Sequence, residues 1–224
     1  ISASGHKFGE SCIGTGWVVW RQRENLSDHV AISVSYLGGM GESYNLNFSR
    51  PASGIYVQYY KFLRYGISGY QKICEHMMAH AQKIRGGLEG MKFEGKPRFV
   101  ILDDGDKGCL PVVTAMLNPE CNFEYDDIDL QHAISEHNWY VSGYRMNFED
   151  PVTKQDKPIF TDQDGSKTMF RIVVKSNINS VMVDNLIDSF GKTLEMLDSI
   201  EFKNKTNGAF KGMHRKKNLF SKHC

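Results

Sequence analysis

Ser4-Gly5-His6-Lys7-Phe8-Gly9, followed by Gly16-Trp17-Val18-Val19-Trp20, is the stretch that decides how this 224-residue chain is read. A lysine directly after a histidine, at the mouth of an apolar strand, is a candidate Schiff-base lysine, because a desolvated amine gives up its proton more readily and becomes nucleophilic. Lys7 is that candidate. Gly-His-Lys also occurs in exposed turns that carry no chemistry, and spacing alone does not separate the two readings.

Further blocks follow. Ile1-Ser2-Ala3 leads into the lysine turn, Arg21 closes the tryptophan strand, and then come Tyr36-Leu37-Gly38-Gly39, Asn47-Phe48-Ser49-Arg50-Pro51 and Gln58-Tyr59-Tyr60. In order and spacing these closely resemble the pyridoxal-phosphate glutamate decarboxylases, within the group II amino-acid decarboxylases. The match is dense over residues 1 to 90, and Phe170-Arg171-Ile172-Val173-Val174 reads as a later block. The resemblance implies an α/β fold, the C-terminal part of a pyridoxal-phosphate-dependent transferase of fold type I (aspartate-aminotransferase-like). Residues 1–90 would end the cofactor-binding large domain, 91–200 would form a small α/β domain, and 201–224 a basic tail.

The same resemblance implies roles. Lys7 would hold pyridoxal 5'-phosphate as an aldimine, and Ser4 and His6 match positions that contact the cofactor phosphate, where hydroxyl and imidazole N–H donors suit an anion. Ser49 matches a position that reaches the phosphate of a neighbouring subunit, which implies at least a homodimer with a shared site; a serine capping the helix that opens near Pro51 is the local alternative. Tyr36 and Leu37 match a loop that folds over the site, excludes water and guides protonation, with an exposed strand aromatic as the alternative for Tyr36. Arg171 would clamp the substrate α-carboxylate, or else face solvent on an alternating strand. Asn138-Trp139-Tyr140-Val141-Ser142-Gly143-Tyr144 departs from the family's Gly-Trp-x-Val-Pro-Ala-Tyr pattern. The partners of the cofactor ring and of the substrate side chain lie N-terminal to the lysine in that family. The implied activity, conversion of L-glutamate to 4-aminobutanoate and carbon dioxide, is therefore expected of a full-length parent and not of these residues alone. Another group II decarboxylase and an inactive fragment serving as an interaction module are the rival readings.

Composition fits a soluble globular protein, 41% apolar and 24% charged. No apolar run approaches the roughly 20 residues that span a bilayer. Five scattered cysteines without a Cys-x-x-Cys pair point to reduced thiols and a cytoplasmic setting. His76 and His80 stand four apart on a predicted helix without a third ligand, so a surface pair is expected and no metal site. The net charge of +1 hides a tail of seven Lys/Arg and one acid on an acidic body. No basic patch with interleaved aromatics suggests nucleic acid. His223 in Asn218-Leu219-Phe220-Ser221-Lys222-His223-Cys224 resembles the C-terminal histidine of acid-induced bacterial members, which implies a plug at neutral pH released by acid; a disordered basic end is the alternative. A calmodulin target is the weakest reading, since Phe210, Met213, Leu219 and Phe220 give few anchors and Gly208 and Gly212 disfavour helix.

Periodicity supplies the elements. Residues 17–21 and 30–36 read as strands, the second closed by Gly38-Gly39 and Gly41, and together they suggest a hairpin-like flap. Pro51 opens a helical region in which Ile55, Tyr59, Phe62 and Leu63 share one apolar face, read as core; after a break near Gly66 the stripe resumes through Tyr70, Ile73, Met77 and Ile84. Residues 86–97 are the predicted junction between lobes. Strands at 99–102 and 111–117 flank an acidic turn, a helix is predicted over 127–137, strands at 139–141 and 170–174, and a helix from Ser180 capped by Asn179 or Ser180.

Overall fold

The computed structural model describes residues 1–27, 29, 32–34, 38, 41–43, 49–103, 105, 110–158 and 167–200. They form two compact units, Ile1–Ile73 and Cys74–Cys224, whose boundary falls inside a long helix, while the expected junction at 86–97 lies within the second unit.

In the first unit, β1 (Ser2–Ala3) pairs antiparallel with β2 (Trp17–Val18), and β3 (Ile32–Val34) with β4 (Gly41–Ser43). The expected pairing of residues 17–21 with 30–36 does not form: the first strand pairs with β1 and the second with β4. Helix α1 (Ser53–Gly90) is interrupted at Gly66, whose φ of 57° and ψ of −170° leave helical space at the predicted break. Only glycine takes such angles without strain. The first turns of α1 depart from the sequence reading. Ile55, Tyr59 and Leu63 are 65%, 62% and 68% exposed, and the buried positions are Gly54 and Gln58. The side of the helix that packs within this chain meets a loop with backbone groups to satisfy, and those call for an amide and a glycine.

The second unit is built on a four-stranded antiparallel sheet. After the small hairpin of β5 (Lys92–Phe93) and β6 (Lys96–Pro97) come β7 (Phe99–Ile101), β8 (Val112–Leu117) and α2 (Asp127–Ile134). Then follow β9 (Ser142–Arg145), the hairpin β10 (Asn147–Glu149) with β11 (Asp156–Pro158), β12 (Thr168–Val173) and α3 (Ser180–Ser199). The sheet order is β7-β8-β12-β9. Its elements follow the ββαββα order read from the sequence, with two differences. The strand expected at 139–141 lies at 142–145, because Asn138 turns through left-handed backbone at φ 63° and Gly143 must sit opposite Phe170. Between β9 and β12 the chain also folds back on itself as the β10–β11 hairpin, which the sequence reading did not include.

One face of this sheet carries the core. Phe99, Phe170 and Phe190 meet with ring centroids 5.4–6.1 Å apart and are all buried. Along β12 burial alternates, Phe170 and Ile172 inward, Arg171 and Val173 outward, the period-2 signature of a sheet covered on one side. Of the predicted stripe Met77 and Ile84 are buried, with Ala81 and Leu88 beside them, while Tyr70 and Ile73 are half-buried. His80 is also buried, contrary to the expected surface pair: its ring lies 4.1 Å from that of His76, its Nδ1 has no partner among the described residues, and burial holds its pKa below the usual value. At the far end Arg98 forks onto Asp198 at 2.7 and 3.1 Å, against the rings of Phe93 and Phe123, while Tyr125 donates to the same carboxylate at 2.7 Å. Among the described residues no helix is long and apolar enough to cross a membrane.

Asp127 joins α2 to the sheet. Asp126 caps the helix, and the buried Asp127 carboxylate next to it accepts from the Leu117 N–H at 2.9 Å and the Thr168 hydroxyl at 2.8 Å. Burial outweighs these bonds and pushes its pKa from 3.8 up to about 6. A folded-state pKa above the unfolded value means the folded state holds the proton longer. The resulting stabilisation, about 3 kcal/mol at most, is present below pH 3.8 and is lost as pH rises through 6. His80 acts with the opposite sign, its depressed pKa costing stability as pH falls below 6.5. The Asp127→Asn variant keeps the Leu117 bond on its amide oxygen, reverses the Thr168 bond so that its NH2 donates to the hydroxyl, and removes one titration. Melting temperatures between pH 4 and 7 should show the wild type losing ground to the variant as pH rises; parallel curves would refute the buried-carboxyl account.

Candidate active site

The Lys7 turn is an excursion between β1 and β2. His6 N–H donates to the Thr15 carbonyl at 3.1 Å, Lys7 N–H to Ser4 at 3.2 Å, Glu10 N–H to Lys7 at 3.1 Å and Ser11 N–H to Gly5 at 3.0 Å. Four ties fasten the turn to the first half of α1. The Ser11 hydroxyl donates to the Gly54 carbonyl at 2.5 Å, Gln58 Nε2 to the Gly9 carbonyl at 2.7 Å and the Tyr70 hydroxyl to the same carbonyl at 3.2 Å, and Lys61 pairs with Glu10 at 3.2 Å. Tyr70 also stacks on Phe8 with centroids 5.5 Å apart, and burial raises its pKa, with the Glu10 charge adding to the effect.

This scaffold brings Ser4, His6 and Lys7 together on one turn. Gly5 between them is buried, whereas Ser4 and Lys7 are exposed. Within this chain Trp17 and Val18 of the two-stranded ribbon are exposed as well. His6 Nδ1 lies 3.1 Å from the Thr15 carbonyl, which can only accept, so the ring carries its proton there and turns Nε2 to other partners. An anion at Nε2 requires the imidazolium form. A hydroxyl, an imidazole edge and a primary amine within four residues, on a turn whose inner side is filled, form a donor set that fits a phosphate and an aldehyde.

The remaining candidates fall elsewhere. Ser49 is exposed and precedes the helix by too far to cap it, since the Ala52 carbonyl accepts from Ile55 and Tyr56 at the first turn. Tyr36, Leu37 and His223 lie outside the described residues. Arg171 belongs to the second unit, on the outer sheet face, where Nη2 donates to the Tyr144 hydroxyl at 2.9 Å and the guanidinium lies 5.3 Å over that ring. It stands across from Thr114 and Ser142. Among the described residues no cluster of His, Cys, Asp and Glu could hold a metal ion. Sequence reasoning quoted Gln58 within a block and gave it no role. Its signal was a lone amide amid Tyr56, Val57, Tyr59 and Tyr60, in a turn read by its apolar face.

Residues 1–104 match the pyridoxal-dependent decarboxylase conserved domain. The chain is 38% identical over 187 residues to a glutamate decarboxylase of Aliivibrio fischeri, covering 84% of this chain and 36% of that protein. It also matches the solved glutamate decarboxylase of Lactobacillus brevis, with a TM-score of 0.70 and 30% identity over 90% of this chain and 41% of the other. A sphingosine-1-phosphate lyase of Burkholderia pseudomallei, 16% identical with a TM-score of 0.61 over 87% of this chain and 37% of its own, shares the fold. The chain thus spans between a third and a half of the length of the proteins it matches. With the lysine turn inside the matched stretch and a mixed α/β architecture, the chain is similar to the pyridoxal-dependent decarboxylases over residues 1–104 and to glutamate decarboxylases over most of its length.

Proposed function

We propose that this chain is the C-terminal part of a glutamate decarboxylase that releases carbon dioxide from L-glutamate to give 4-aminobutanoate, with pyridoxal 5'-phosphate held on Lys7. The observation that carries the reading is the Ser4-Gly5-His6-Lys7 turn, locked onto α1 from inside and presenting its amine outward. Residues 1–90 then belong to the large domain and 91–200 to the small one, with 201–224 as a tail.

When bound, the cofactor supplies an electron sink for the pair left behind by carbon dioxide. The rest falls to the protein. Lys7 offers an accessible primary amine that must be deprotonated to hold the cofactor aldehyde. Ser4 and the Nε2 edge of His6 offer donors to the phosphate, and Ser49 from a second copy would complete that shell. Arg171 presents a planar fork to the substrate α-carboxylate, steadied by Tyr144. Tyr36 and Leu37, between β3 and β4, would close over the site and exclude water.

Borohydride reduction of the full-length protein followed by peptide mass spectrometry should find the cofactor on Lys7, and Lys7→Ala should abolish turnover. A label on another lysine would sink the assignment. Labelling of Lys7 with turnover of a different amino acid would shift the reading to another group II decarboxylase; no labelling would favour an interaction module. Arg171→Lys keeps the charge but loses the fork, and should raise KM for glutamate by about tenfold while changing kcat less. An unchanged KM would assign Arg171 to the solvent face alone.

A further inference from the structure

On the reading of Lys7 given above, we infer that Gln58 is a positioning residue whose side-chain amide sets where the Lys7 amine stands. Gln58 is 1% exposed, a buried polar side chain in a unit whose aromatic side chains largely face solvent. Its Nε2 donates to the Gly9 carbonyl at 2.7 Å. Its amide also forms the floor of the turn: a Cβ added at Gly9 would come within 2.6–2.7 Å of both amide heavy atoms, and one added at Gly5 would collide with Oε1. Gly5 and Gly9 bracket His6, Lys7 and Phe8, so the lysine is carried on a loop wrapped around one glutamine side chain with no slack on its inner side.

The chemistry of the amide accounts for the choice. Gly9 presents a carbonyl, which needs a donor, and a carboxylate, lacking the donor, or an aliphatic side chain would leave that carbonyl without the 2.7 Å bond; the amide oxygen beside Gly5 has no hydrogen-bond partner among the described residues. Tyr70 donates to the same carbonyl at 3.2 Å, a longer bond that does not form the floor. Gln58 is separated from Lys7 by the turn it supports and acts through it.

The test uses the full-length protein with Gln58→Met, which keeps the volume and loses the donor, and Gln58→Glu, which regains a donor only when protonated. In the cofactor-free protein, hydrogen exchange of the Lys7, Glu10 and Ser11 amides should quicken by about tenfold or more in Gln58→Met, with α1 little changed. In the loaded enzyme, borohydride labelling of Lys7 should fall and kcat should drop by about tenfold or more with KM within about twofold. Gln58→Glu should match this loss near pH 7 and recover toward wild type as pH falls, giving an altered pH profile. If the wild type labels Lys7 while both variants keep wild-type exchange, labelling and pH profile, the inference fails and the reading of Lys7 stands. If the wild type labels elsewhere, that reading fails first. Should Gln58→Met not fold, the Gln58→Glu pH profile decides alone, and a profile parallel to wild type would overturn the role.

Discussion

The Gly9 carbonyl is the point on which the first unit hangs. A turn of glycines and polar residues has little apolar surface to bury, so its shape must come from hydrogen bonds whose partners sit on a more rigid element. Helix α1 supplies them, Gln58 and Tyr70 both donating to that one oxygen while Ser11 and Glu10 fasten the exit of the turn. Everything placed on the outer side, Ser4, His6 and Lys7, inherits its position from this inner bonding. A reactive amine on a loop is useful only if the loop does not wander, and the scaffold meets that condition without burying the amine.

The second unit rests on a different constraint, apolar burial on one sheet face. Phe99, Phe170 and Phe190 fix the distance between sheet and helix, and the alternation along β12 that sends Phe170 inward sends Arg171 outward. Register thus decides chemistry, because a slip of one residue in β12 would bury the guanidinium and expose the core phenylalanine. Arg98 shows the opposite solution: it is buried, and Asp198, Tyr125 and two aromatic rings surround it. A charge in that position must be partnered from several sides, whereas Arg171 needs only Tyr144 to hold its plane.

Much of the architecture was legible in the sequence. The break at Gly66, the buried Met77 and Ile84, the β7–β8 pair and α3 with its Asn179 cap follow from periodicity and cap chemistry. The strand at 142–145 was misplaced by a few residues because Trp139 and Tyr140 look more strand-like than Ser142 and Gly143, yet Gly143 is what fits opposite Phe170. His80 was read as a surface residue because an isolated helix does not reveal which of two adjacent faces another helix will cover.

What the sequence determined by itself is the order of elements and the identity of the chemically competent residues, since spacing, caps and the Gly-His-Lys block are local properties of the chain. What only the tertiary structure decided is orientation. Within this chain the apolar side of the first turns of α1, Ile55, Tyr59 and Leu63, is exposed, and the side that packs is Gly54 and Gln58. Hydrophobicity predicts which face should seek a partner, but the partner here is a backbone turn with carbonyls to satisfy. That preference for an amide arises only once residues 9 and 58, distant in sequence, are brought together.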